Sequence, residues 1–369
     1  MVLLRNVKTY DLMISEDPNR NSISRWTRIM HSHHSHSGDY VAHGVDPLDD
    51  IVAQAVAMRF HTYCLTEHMP RVNSKYLYPE ERQEDMSPDP NIGELGLKVL
   101  KEKFLSYLEH SRSIRAKYSG GDCKTKFLVG CELECCDVEH IEYSKYLLRT
   151  YGGDLKFTVG SIHHIRGIPI DFDPHSWNEA FDSCDKNIVK FLSSYFDMQH
   201  AMITELQPII IGHFDLYKLL LPDEMFVHPA TGDCSDDPQV DFVPITSISL
   251  VKTFPILREK IIRNLKAVDS YGGAIEINTA GFRKGLCEPY PGPEICELAK
   301  QYCGSRFVLS DDAHAVSHVG TCYKQALDYI TNTIKIEALY HLEETSDGSV
   351  KLVKEDMASV SENSFWKQF

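Results

Sequence analysis

The sequence has no apolar run near the about 20 residues that a membrane-crossing helix needs, which excludes a transmembrane span and leaves no membrane partner. Residues 1–29 lack the apolar core of a signal peptide. Their five Lys/Arg and three Asp/Glu are too mixed for a transit peptide. There is no CxxC pair among the eleven cysteines, an odd number, and at this size and spacing no disulfide framework is expected. A reducing, cytoplasmic compartment with mostly buried thiols follows. Basic charge is in short supply: 38 Lys and Arg face 53 Asp and Glu, for a net charge of −15. Such a surface repels phosphate polymers, so nucleic acid is a poor partner. A small phosphorylated molecule is less affected, because bound metal ions reverse the local field. Repeats, low-complexity tracts and a clear linker are also missing, which argues for one domain.

What is present is an ordinary globular composition, 43% hydrophobic and 25% charged over 369 residues. That length supports a sizeable core. Short apolar runs recur, and most stop on a residue that binds metals. The run 61–65 leads into Thr66-Glu67-His68, and 126–129 into Gly130-Cys131-Glu132. The run 155–159 leads to His163-His164, 208–211 to Gly212-His213-Phe214-Asp215, and 306–309 to Ser310-Asp311-Asp312-Ala313-His314. Ahead of them lies His31-Ser32-His33-His34-Ser35-His36, with His43 close behind. Ligands collected where strands end share one face of a β/α barrel. That pattern points to a multinuclear metal site.

Helical patterns separate the runs. Asp46-Pro47 reads as an N-cap followed by proline at the first helical position. Residues 70–94 read as an exposed loop, 95–118 as an amphipathic helix, 138–151 as a second and 176–205 as one long helix. Residues 221–245 read as an irregular acidic insertion. Helices are expected over 247–270, 293–303 and 319–331. Strands are expected near 26–33 and over 61–65, 126–132, 155–163, 208–213, 274–279 and 306–310. Strict alternation predicts a parallel sheet closed into a barrel. Three segments follow: an extension, 1–29, a barrel domain, 30–343, and a polar tail, 344–369. Met30 stands directly before the histidine cluster, so 1–29 reads as dispensable, whether a segment before a second start or an upstream addition.

These motifs resemble the PHP (polymerase and histidinol phosphatase) superfamily, and within it the histidinol-phosphatase branch, the fungal members above all. The motifs are His34-Ser35-His36 with His43, Thr66-Glu67-His68, Gly130-Cys131-Glu132, Ser161-Ile162-His163, Gly212-His213, Glu276-Ile277-Asn278-Thr279 with Arg283, and Asp312-Ala313-His314. The resemblance implies a distorted (β/α)7 TIM-like barrel, three divalent metal ions (Zn, Mn or Fe) and hydrolysis of L-histidinol phosphate to L-histidinol and phosphate. It assigns His34, His36, Glu132 and Asp312 to one ion, with Glu132 bridging to a second held by His163 and His213. It assigns His43, His68 and His314 to the third. The His36–His43 spacing is seven positions where the family pattern has six, so His31 and His33 compete with His34 and His36, and the latter pair is favoured.

The implied chemistry is in-line attack on phosphorus by a metal-activated hydroxide. Asp312, Arg283 and His164 form the expected catalytic group. Arg283 sits just past a strand end, where a guanidinium clamps phosphate in bidentate fashion. Asp171 and Asp173, with His164, are the expected partners of the substrate's amine and imidazole. The leaving alkoxide takes its proton from His164 or Glu67. Glu67 and Glu134 are expected to orient ligands rather than bind metal. Rival readings are a nuclease or nucleotide phosphatase of the same superfamily, the charge disfavouring polymers, an amidohydrolase, which would need a bridging lysine where Glu132 stands, and a non-catalytic metal scaffold.

Overall fold

The computed structural model describes residues 30–82, 92–120 and 123–368. The extension 1–29 lies outside them. Strand β1 (His31–Ser32) is followed by helix α1 (Leu48–Ala57), β2 (Thr62–Leu65), α2 (Ile92–Tyr118), β3 (Lys126–Glu134), α3 (Val138–Tyr151) and β4 (Phe157–Ser161). A short hairpin, β5 (His164–Ile165) and β6 (Ile168–Pro169), precedes α4 (Pro174–Asp182), α5 (Ile188–Leu206) and β7 (Ile210–Ile211). Three two-residue strands follow: β8 (Phe226–Val227), β9 (Cys234–Ser235) and β10 (Val243–Pro244). Then come α6 (Leu250–Thr253), α7 (Pro255–Ser270), β11 (Ala274–Asn278), α8 (Ala280–Arg283), α9 (Pro293–Tyr302), β12 (Phe307–Ser310) and α10 (Tyr323–Asp328). Strands β13 (Ala338–Glu344) and β14 (Val350–Asp356) and helix α11 (Met357–Ser361) end the series.

Seven strands pair in the order β1-β2-β3-β4-β7-β11-β12, every pairing parallel. The edges meet through a Ser35–Ala313 bridge, with His36 N–H donating to the Ala313 carbonyl at 2.7 Å. The Ser32 hydroxyl donates to Asp311 Oδ1 at 2.8 Å across the same seam. The result is a distorted, nearly closed TIM-like barrel, as the alternation predicts. All seven expected barrel strands are present. Side chains on one face of the strands, Leu65, Val129, Ile211, Ile277 and Leu309, join one large core, and those on the other face, Cys64, Leu128, Val159, Ile210 and Val308, form a smaller one. No helix among the described residues is long and apolar enough to cross a membrane.

Local chemistry explains most boundaries. Asp137 caps α3 by accepting the His140 N–H, and Asn187 caps α5 by accepting the Lys190 N–H, each satisfying a donor left free at a helix start. Pro174, Pro255 and Pro293 occupy first helical positions, where no N–H is required.

The structure corrects several expectations. The expected 176–205 helix is two helices, because Asp185 and Lys186 have φ of 59° and 51°, which a right-handed helix does not tolerate. The expected 247–270 helix is likewise split before Pro255. Asp46 does not cap α1; it accepts the Val316 N–H at 2.6 Å, and Asp39 accepts the Leu48 N–H at 2.8 Å instead. The acidic insertion carries the small antiparallel sheet β10-β8-β9. Of the expected loop over 70–94, residues 83–91 lie outside the described residues, and 70–82 are not exposed throughout: Arg71, Tyr76, Leu77 and Tyr78 are buried there. Finally, the division at 343/344 falls inside β13. The hairpin β13–β14 is part of the domain, since Leu342 and Val350 pack with Phe157, Ile210, Ala274 and Val308 at the strand starts.

Candidate metal centre

The opposite, C-terminal end of the barrel carries the cluster. His34 and His36 follow β1, His68 follows β2, and Glu132 and Glu134 lie on β3. His163 follows β4, His213 follows β7, and Asp312 and His314 follow β12. Each strand stops as its last residues turn toward the axis, so six separate strand ends bring candidate ligands to one place. Gly212 makes room for its neighbour His213: a Cβ there would meet Ser161 Oγ at 2.6 Å and Val159 Cγ1 at 2.8 Å. Asp312 adopts φ 49°, an uncommon conformation for a non-glycine residue, of the kind retained where a side chain must be aimed.

Glu132 is the centre of the arrangement. Its Oε1 lies 3.4 Å from His34 Nε2, 3.6 Å from His163 Nε2 and 3.1 Å from His213 Nε2. Its Oε2 lies 3.4 Å from His36 Nε2 and 2.8 Å from His68 Nδ1. One carboxylate thus faces two groups of imidazoles, one on each oxygen. Asp312 Oδ1 lies 3.5 Å from His36 Nε2, 3.9 Å from His34 Nε2 and 3.6 Å from His314 Nδ1. The rings of His36 and His314 are 4.5 Å apart, and those of His36 and His68 4.3 Å. His43 sits at the exposed rim, its ring 5.0 Å from His314 and 5.4 Å from His68.

These groups fit metal ions. His34 with His36 and Glu132, Glu132 with His163 and His213, and His36 with His68 and His314 each bring one ligand atom per residue within 4.8 Å of the others. His34 Nε2, His163 Nδ1, His213 Nδ1 and His68 Nε2 are buried without a hydrogen-bond partner. Leaving so many polar atoms unpaired is costly unless something coordinates them. The electrostatics agree. Burial pushes the Glu132 carboxyl up, but His34, His68 and His163, together with the His213 hydrogen bond, outweigh it and hold it well below the usual range. Burial pulls His34 down, and Glu132, Glu276 and Asp312 outweigh that to raise it well above its ordinary value. For His36 burial dominates, aided by His68 and His314, and its pKa falls well below the ordinary value. Positive charge is demanded at one point and rejected as protons at another, which suits cations held between the rings.

Further groups orient the ligands. Glu276, which sequence reasoning did not single out for a role, is fully buried, and its Oε1 meets His34 Nδ1 at 3.0 Å. Its Oε2 accepts the His213 N–H at 2.8 Å and the Asn278 amide at 3.0 Å. Its signal lay in the motif on β11, where an acid in an otherwise apolar strand has to find a partner. Glu134 Oε1 meets His68 Nδ1 at 2.6 Å, and its other oxygen pairs with Arg71. Glu67 accepts the Ser37 hydroxyl at 2.6 Å and lies 3.8 Å from His36 Nδ1. Burial pushes the Glu67 carboxyl up to about 8.

A cavity of about 350 Å³ opens over the cluster. It is lined by His36, His43, His68, Glu132, Glu134, His163, His213, Asp312 and His314, with Arg283, Asp171, Tyr78, Phe172, Lys284 and His318 around them. Arg283 Nη2 donates to the Asp312 carbonyl at 2.7 Å, and its Nε is buried without a partner. Asp171 Oδ1 is also buried and unpartnered. Tyr78, Phe172, Lys284 and His318 were not singled out from the sequence. Lys284 had its place beside Arg283 as a signal, whereas Tyr78 lay in the supposed exposed loop.

Three residues expected to touch the substrate do not line the cavity. Asp173 is the N-cap of α4, accepting the Ser176 N–H at 2.7 Å, and does not line the cavity. His164 is buried behind the cavity wall, its Nδ1 3.4 Å from Cys136 Sγ and its ring stacked 6.2 Å from that of Tyr78. Glu67 does not line the cavity either. His31 and His33 turn to the other end of the barrel, where His33 Nδ1 meets the Leu309 carbonyl at 2.9 Å and Nε2 accepts the Leu342 N–H at 3.1 Å, so they do not replace His34 and His36.

Residues 32–280 match the model of the PHP domain. The chain is 47% identical over 317 residues to the histidinol-phosphatase of Saccharomyces cerevisiae, covering 86% of this chain and 92% of that protein. A Schizosaccharomyces pombe protein named "Probable histidinol-phosphatase" is 32% identical over 338 residues, covering 92% of this chain and 96% of its own. A crystal structure of a Listeria monocytogenes protein named "putative histidinol phosphatase" shares the fold at TM-score 0.56 and 20% identity, covering 80% of this chain and 99% of that one.

Proposed function

The chain belongs to the PHP domain family, and from that premise we propose that it is a metal-dependent phosphomonoesterase that converts L-histidinol phosphate to L-histidinol and phosphate. The observation that carries the reading is Glu132, one buried carboxylate whose two oxygens face separate groups of imidazoles. With 47% identity to a histidinol-phosphatase across most of both chains, the site and the relative point to the same activity.

Three divalent ions fit, with Zn, Mn and Fe all compatible with nitrogen and carboxylate ligands. His34, His36, Glu132 and Asp312 would hold one, Glu132, His163 and His213 a second, and His68, His314 and His43 the third. Bound there, the ions supply an activated water and offset charge on the phosphate. The remaining work falls to the chain itself. Glu276 holds the His34 ring and the His213 backbone, which keeps both imidazoles aimed at Glu132. Glu134, paired with Arg71, does the same for His68. Arg283 and Lys284 make the cavity wall positive where phosphate oxygens would lie. The unpartnered Arg283 Nε gives a fixed donor for an equatorial oxygen. Asp171 suits the cationic amine of the substrate, since its buried Oδ1 has no partner of its own and it lies in the same cavity. Tyr78 and Phe172, stacked with ring centroids 5.2 Å apart, offer an aromatic wall for the imidazole.

The test is phosphate release by the purified chain from L-histidinol phosphate, set beside release from nucleoside monophosphates. Turnover should favour histidinol phosphate by orders of magnitude, stop with a chelator and return with added divalent metal. Equal turnover of nucleotides would overturn the substrate, and chelator-resistant turnover would overturn the metals.

A further inference from the structure

A second group of histidines collects at the far end of the barrel, under the C-terminal hairpin. The His31 ring lies 4.7 Å from that of His33 and 5.0 Å from that of His341, and His61 approaches His341 at 6.4 Å. His33 is accounted for by its two backbone partners. His341 is accounted for in part, its Nε2 meeting Glu343 Oε1 at 3.0 Å, and His31 is not. Each is almost wholly buried, and in each Nδ1 has no hydrogen-bond partner. Two unpaired imidazole nitrogens facing the same interior are expensive, for the same reason as at the catalytic cluster.

A carboxylate completes the group. In the hairpin, Leu339 pairs with Glu355 and His341 with Val353. Cross-strand partners share a face, and so do residues two apart, so His341 and Glu355 stand on the same side of the hairpin. One ligand atom from each of His31, His341 and Glu355 lies within 4.8 Å of the other two. Glu355 is only partly buried, which leaves a route for an ion from solvent. Burial, reinforced by His33, His341 and His61, keeps His31 well below its ordinary pKa, so its ring is neutral and has a lone pair to give.

We propose that His31, His341 and Glu355 bind a further divalent ion of the zinc class, separate from the catalytic cluster, which fastens the C-terminal hairpin to the first barrel strand. Two imidazoles and a carboxylate are a normal zinc donor set, with water in the fourth position. Metal–ligand bonds of about 2.0–2.2 Å put tetrahedral ligands roughly 3.5 Å apart, so small side-chain rotations close the site. The ion joins the start of the described chain to its end. An ion held only by the folded state stabilises that state by mass action. It also closes a very long loop, adding to the packing of the hairpin on the strand starts and to the His33–Leu342 hydrogen bond.

The experiment uses the full chain, reconstituted with zinc and freed of excess ion. Zinc per chain, turnover and Tm are compared for the wild type, Glu355→Gln and His341→Gln. Neither residue lines the cavity. Each variant should hold one zinc fewer, keep kcat/KM within about twofold and melt about 5 °C lower, a size that fits loss of one bound ion in a chain of this length. The Tm difference should vanish once a chelator strips all chains. An unchanged zinc count overturns the site, as does a Tm difference of the same size with and without chelator, which would mark a packing role. If His341→Gln fails to fold, Glu355→Gln, at a partly exposed position, decides alone. Turnover is read separately, so failure of this site leaves the catalytic reading standing.

Discussion

Replacing Glu132 with glutamine keeps the volume of the side chain and removes the charge that both groups of imidazoles face. On the Oε1 side stand His34, His163 and His213, and on the Oε2 side His36 and His68. A lost charged contact costs about 3 kcal/mol, which is about 10²-fold in rate. If Glu132 serves two ions, the two losses combine to roughly 10⁴-fold in kcat/KM on histidinol phosphate. The amide adds a second difficulty, because its NH2 would point at ring nitrogens that need a cation or a donor. Glu134→Gln is the matched control. Glu134 touches His68 and Arg71 and so acts through a ligand, for which losses of about 10–100-fold are typical. The assay is phosphate release at saturating divalent metal, with circular dichroism to check that the barrel core, at the strand interiors, is intact. Equal losses at the two positions, or a Glu132→Gln enzyme within tenfold of the wild type, would refute the bridging argument.

Arg283→Ala should lower kcat/KM by about 10²-fold, and Arg283→Lys by less, since one charged contact of about 3 kcal/mol is lost and only Lys keeps the charge. Metal content should hold; loss of metal would show that Arg283 acts by pinning the Asp312 carbonyl instead of reading phosphate. Asp171→Asn should raise KM for histidinol phosphate about tenfold or more and leave hydrolysis of an uncharged phosphate ester unchanged, as one charged hydrogen bond to the amine is weakened; equal effects on both esters would remove Asp171 from amine recognition. A chain starting at Met30 should turn over like the full one, because the described barrel begins there, and a large loss would show that 1–29 packs on it.

The strand ends were legible because a buried parallel strand is a short apolar run, and a polar ligand can only appear where that run stops. That is why His68, Glu132, His163, His213 and Asp312 could be placed from spacing. The split between α4 and α5 was not legible, since it depends on positive φ at Asp185 and Lys186, which their identities do not require. Tyr78 looked exposed among its polar neighbours, yet Arg71 draws the segment inward by pairing with Glu134 and by lying 5.0 Å from the Tyr78 ring. Glu276 sits mid-motif on β11, and only the fold shows that His34, 242 residues away, is its partner. Asp173 was misread because an acid before Pro174 serves equally as a cap and as a ligand. The polar hairpin gave no period until its partners at the strand starts were known.

Anomalous diffraction from crystals of active, gently purified enzyme, recorded at the edge of the bound metal, tests the central claim most directly. Three peaks are expected inside the cavity at the C-terminal strand ends, two of them beside Glu132. A fully active enzyme with one peak or none among these histidines would contradict it.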